Sequence, residues 1–263
     1  MVRIPLPTSE DNLPRWRAAF RRVGWFVPAY VSVGYLNMIA DAIEQEGEGF
    51  HQDRLQSVMA TIYTPSRLAA MALHRYPQTH IVKAYSETIK EAVEAHLIGL
   101  DHIAIGGLVP VVEGIGKRFG QERGLPDTRN STKIFQNLME DYKREAVERQ
   151  IGATDELTAM LDTFAEFTTK NLYVDSAAYP LSDKTNRHGI VHGHYADKDY
   201  GSPGNFYKAI SAVDVLTFTS IIRHPGSVFV PENTPACDAF LECARAQAEL
   251  RRKLVQGISQ LGL

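Results

Sequence analysis

Apolar residues recur three and four positions apart along most of this chain, the spacing of one face of an α-helix. Trp16, Phe20 and Val23 form the first such stripe and leave Arg15, Arg17, Arg21 and Arg22 to face water. The same pattern predicts a second helix over about 29–46, stopped by Gly47, and a third over about 52–62. Thr64 followed by Pro65 supplies an N-cap and a first helical residue. Two more apolar-periodic runs, 81–99 and 100–119, lie beyond Pro77. After a Gly/Pro/Asn-rich loop, helices are predicted from Ser131 to about Gln150 and over about 154–171. An irregular stretch, 175–204, precedes two last helices over about 205–222 and 235–260. Only "GSVFVP", 226–231, has the composition of a strand, and no internal repeat is present. The expected fold is all-α and bundle-like, with a soft boundary near 77–79. It separates an N-terminal helical region, 1–78, of unassigned role from a helical bundle, 79–263, that includes the C-terminal helix.

Charge and composition narrow the class. The chain has 263 residues, 44% hydrophobic and 22% charged, with a formal net charge of −3, so any nucleic-acid contact must come from a local patch. The uncharged run 23–38 follows four arginines, as a membrane span would, but Pro28, Ser32 and Asn37 interrupt it and it is too short to cross a bilayer. A buried helix is expected instead. Cys237 and Cys243 are the two cysteines, and no C-x-x-C pair suggests a metal site. That usage fits a reducing, cytoplasmic setting.

Two acids stand alone in apolar helices. Asp214 lies amid Ile210, Val213, Val215, Leu216 and Phe218, and Glu113 is the one charged residue in 103–115. A carboxylate buried alone is too costly, so each needs a cation, a donor or a proton. They could bond helix ends or reach water, or they could orient the basic residues of the next motif.

That motif is "TNRHGIVHGHYADKDYGSPGN", 185–205. On a straight helix the five-residue step from Arg187 to His192 turns about 140°, so the two side chains diverge. They converge on one substrate only if the backbone is irregular, as Gly189 and Gly193 permit, or if a second subunit supplies one of them. His188 and His192, four apart, share a face.

"NRHGIVHG" resembles the ribonuclease motif of the HEPN superfamily: Arg, a polar residue, three more residues, then His. The likeness extends over about 80–226, to standalone bacterial proteins of the toxin and phage-defence kind, and leaves the N-terminal helices outside. It implies a homodimer whose paired motifs cut single-stranded RNA without metal or cofactor, the 2′-OH attacking the adjacent phosphate. Arg187 would hold the phosphate with a bidentate fork, His192 would be the acid or base, and His188 would bond phosphate or orient Arg187. Asn186, Glu113 and Asp214 would support them. An antitoxin or regulatory partner belongs to the same expectation, as does a second possibility: a catalytically silent module that binds RNA, nucleotide or protein.

Other readings of the same residues remain. His188, His192 and His194 could bind a transition metal, though no helix-borne carboxylate accompanies them. Arg187 could merely neutralise Asp214 in a docked helix cap. Downstream, Tyr195, Tyr200, Phe206 and Tyr207 interleave with Lys198 and Lys208, the mixture that grips single-stranded RNA. Tyr195, Tyr200 and Lys198 are the better RNA contacts, because Phe206 and Tyr207 fall near an apolar stripe. The four N-terminal arginines read as an RNA track or, more cheaply, as a solvated helix face.

Overall fold

A computed structural model describes residues 9–126, 128 and 130–260; the start of the expected N-terminal region, two positions of the Gly/Pro/Asn-rich loop and the last three residues lie outside it. Among the described residues the fold is all-α, with no strand. The helices are α1 (Ser9–Arg22), α2 (Val33–Glu46), α3 (Gln52–Ile62), α4 (Pro65–Ala70), α5 (Ser86–Leu97), α6 (Asp101–Glu122), α7 (Ser131–Glu148), α8 (Thr154–Phe167), α9 (Arg187–Val191), α10 (Pro203–Ser220) and α11 (Pro235–Gln260). The candidate strand 226–231 is irregular, and Phe229 in it is 74% exposed.

Local chemistry explains the helix starts. Thr64 accepts a hydrogen bond from the Arg67 amide, and Asn130 accepts one from Lys133. Ser202 and Asn205 form a reciprocal capping box at the head of α10, with Pro203 in the first turn. The second helix begins four residues later than its apolar pattern implies. Pro28 sits just ahead of Tyr30, whose φ of 59° is left-handed and ends any helical run there. The uncharged stretch is nonetheless core: Trp25, Phe26, Val27 and Ala29 are each at most 3% exposed. No helix of the described chain is long and apolar enough to cross a membrane.

α10 is the axis of the molecule, buried on nearly every side and flanked by α3, α6 and α8. α5 packs along α6, α7 along α8, and α1 along α8. The boundary expected between 78 and 79 falls inside one continuous hydrophobic cluster running from Leu13 to Ile222. Trp16, Phe20, Trp25 and Phe26 from the first segment share it with Phe135, Phe164 and Phe167 from the second. The Trp25 indole donates to Ser211 Oγ across that line at 3.0 Å. Cys237 is buried, Cys243 is exposed, and both are free.

Candidate active site around Arg187 and His192

A five-residue helix has no stability of its own, so α9 must be held from outside. Asn186, fully buried, does this. Its side-chain oxygen caps the helix by accepting from the Gly189 amide at 2.8 Å, while Nδ2 donates to the carbonyls of Asn171 and Val174, both at 2.9 Å. The other end closes through Gly193 at φ 69°, and the chain returns so that the Tyr195 amide donates to the Gly189 carbonyl at 3.0 Å. Gly189 itself is helical. What it supplies is space, since a Cβ there would stand 2.1 Å from the Tyr195 ring.

The helix therefore ends one residue before His192, and the two motif termini meet within a single chain. Arg187 Nη1 lies 2.6 Å from His192 Nε2. Guanidinium can only donate, so the imidazole accepts, with a lone pair on Nε2 and its proton on Nδ1. Arg187 Nε donates to Glu113 Oε2 at 3.1 Å, which fixes the fork from behind. Glu113 also accepts from Lys117 Nζ at 2.6 Å and Ser131 Oγ at 3.0 Å. Burial pushes the Glu113 carboxyl up, but Lys117, Ser131 and Arg187 together outweigh it and hold it below the usual carboxylate range. It is an anion. Tyr173 adds a buried hydroxyl without a side-chain or backbone partner among the described residues, and its electrostatic neighbours are Glu113 and Arg187.

His188 runs parallel to His192, ring centroids 5.7 Å apart at 13°, as the four-residue spacing implies. Burial first, then the neighbouring Arg187 and His192, holds the His188 imidazole below its ordinary range. His194 follows 6.2 Å from His192 and contacts Ser176 Oγ through Nδ1 at 2.9 Å.

Asp214 is not part of this group. It is 1% exposed in the middle of α10, where Arg67 Nη2 donates to it at 3.1 Å and Tyr76 OH at 2.8 Å. Arg67 also donates to the Ala29 carbonyl at 3.1 Å, so Asp214 locks the N-terminal segment to α10 rather than orienting Arg187. The alternative pairing of Arg187 with Asp214 is excluded by the same contacts. Lys208 is another correction. It is 1% exposed and ion-paired with Asp183 at 2.9 Å, at the wall of a cleft apart from Arg187 and His192. Phe206 stacks on His96 at 3.8 Å and Tyr207 on Tyr63 at 5.8 Å, both as core residues.

The three expected RNA contacts divide between two places. Tyr195 belongs to the α9 site, where its hydroxyl donates to the Ser176 carbonyl at 3.0 Å. Lys198 and Tyr200 instead line a polar cleft of about 320 Å³ with Asp183 and Gln52, and neither Arg187 nor His192 borders it. The N-terminal arginines are largely committed: Arg15 to Asp41 and Glu44, Arg17 to Asp162, Arg21 to Glu166. Sequence reading missed Lys117, Ser131 and Tyr173. Lys117 was accessible to it, four residues after Glu113 on one helix. The other two meet the site only through the packing of α7 and the extension of α8.

No protein-family model matches the chain, and neither curated proteins nor solved structures show a significant match.

Proposed function

We propose that the protein is a metal-independent endoribonuclease of the HEPN type, acting on single-stranded RNA as a cytoplasmic homodimer in a toxin or phage-defence role. One observation carries the reading: on a solvent-facing helix, a guanidinium anchored by a buried carboxylate lies within hydrogen-bond distance of an imidazole nitrogen, His192 Nε2. Arg187 can turn its Nη groups from His192 to a phosphate while Nε stays on Glu113. That swap releases the His192 lone pair as phosphate arrives, so the base is bared where the substrate binds. His192 Nε2 then takes the 2′-OH proton, and the oxygen attacks the adjacent phosphorus. Arg187 stabilises the charge that builds on the phosphorane. The P–O5′ bond breaks, leaving a 2′,3′-cyclic phosphate and a 5′-hydroxyl. The proton for the leaving oxygen comes from a second imidazole, supplied by the facing copy of the motif.

The test is cleavage of a labelled single-stranded RNA by the parent in EDTA, with Arg187→Ala and His192→Ala beside it. A loss of at least about 10²-fold in each variant is expected, the usual worth of a general base at His192 and of a charge-stabilising donor at Arg187. Products should end in cyclic phosphate. Variants that cut RNA as fast as the parent refute the assignment. The engagement of Arg187 by Glu113 and His192 also favours a second reading, a silent binding module, which the same assay separates: the parent would then retain RNA without cutting it.

A further inference from the structure

We propose that His80, Glu122 and His224 form a binding site for one divalent transition-metal ion of the zinc class. The three come from the loop before α5, the last residue of α6 and the loop after α10. One ligand-type atom from each lies within 4.8 Å of the other two. His80 Nε2 is 2.6 Å from Glu122 Oε2, and His224 Nε2 is 3.0 Å from Oε1 of the same carboxylate. The two imidazoles lie face to face, centroids 3.9 Å apart at 31°. Both point the same nitrogen at one carboxylate.

Two imidazoles and a carboxylate are a donor set that zinc accepts, with solvent completing the shell. All three residues reach solvent, so water has access. Ligand atoms about 2.0–2.1 Å from a tetrahedral ion stand about 3.3 Å from one another. The two contacts to Glu122 are shorter, so the ion enters if they open by about 0.3–0.7 Å, within the reach of three side chains at helix ends and loops. On binding, each imidazole carries its proton on Nδ1 and turns the Nε2 lone pair to the metal. The backbone beside His80 is also unusual. Ile81, at φ 63° and ψ −50°, is the centre of a tight γ-turn in which the Val82 amide donates to the His80 carbonyl at 2.8 Å, a strained geometry that fixes the backbone of His80.

This site is separate from Arg187, His188 and His192 and does not depend on the RNA reading. The experiment uses the full-length, untagged chain, stripped with chelator, dialysed and titrated with zinc chloride; cobalt chloride provides a visible absorption band. The parent should bind one equivalent, and zinc should raise its Tm. His224→Gln and, separately, Glu122→Gln should each weaken zinc binding at least tenfold and abolish the Tm shift while circular dichroism stays helical. His188→Ala/His192→Ala should bind as the parent does. The proposal falls if the parent takes up no stoichiometric metal, if the first two variants bind undiminished, or if the last variant is the one that loses the ion. None of these readouts involves RNA, so a failed cleavage assay leaves them intact.

Discussion

Glu113 and Asp214 look alike as residues, each a lone acid in an apolar helix, yet their carboxyls are shifted in opposite directions. Burial dominates at Asp214 and raises its carboxyl above the ordinary range despite Arg67 and Tyr76. At Glu113 burial is incomplete, and two cations and a hydroxyl win. The sign of the stability effect follows. A carboxyl whose folded value lies below the ordinary 4.5 contributes stability that is full above 4.5 and lost as pH falls through the folded value. Glu113→Gln removes that contribution. Urea midpoints of parent and variant should therefore differ most at neutral pH and draw together below pH 4.5. A gap that stays constant down to the acid limit would mean that the carboxylate's charge plays no part in holding Arg187.

At the level of elements, α9 shows how little helix can present a site when its caps are specified. Gly189→Ala sets two effects against each other. Alanine favours a helix over glycine by about 1 kcal/mol. Against this, the new methyl stands 2.1 Å from a ring whose hydroxyl is tied to the Ser176 carbonyl. Overpacking of that kind costs about 1–3 kcal/mol, so the clash should win. Chemical denaturation should show Gly189→Ala less stable than the parent, and Gly189→Ala/Tyr195→Ala should regain part of the loss through helix propensity. No penalty in the single variant would mean that Tyr195 is free to leave. Other elements were legible because their signals are local. Thr64–Pro65 and Pro235 mark helix starts through cap and ring chemistry that needs no tertiary context. The partners of the two acids were not legible, since Arg67 lies 147 positions from Asp214 and Arg187 lies 74 from Glu113. A lone carboxylate announces that it needs a cation but not which one. The start of α2 was misplaced for a related reason: residues 25–29 are apolar enough for a helix, but Pro28 and the left-handed Tyr30 make them irregular core instead.

For the whole molecule, a soft boundary near 77–79 raises the idea that 79–263 is a separable unit, and the packing argues against it. Residues 13–76 bury Trp16, Phe20, Trp25, Phe26, Tyr63 and Tyr76, each 1% exposed or less, in the same core as α8 and α10. Losing one large apolar side chain forfeits about 1.5–3 kcal/mol of burial. Six of them together rival the 5–15 kcal/mol by which a whole domain is stable. Polar terms add to this. Without the first segment Asp214 loses both Arg67 and Tyr76, Ser211 loses the Trp25 indole, and Thr163 loses the Val27 amide that donates to it at 3.1 Å. Water reaching α10 would relieve those groups only by opening the helix packing that holds α6, and with it Glu113, against α9. The fragment 79–263 should therefore give a poorly dispersed amide spectrum and no cooperative thermal transition, while the full chain unfolds in a single step. A fragment that melts cooperatively and keeps native dispersion would show that the first 78 residues decorate a core able to stand without them.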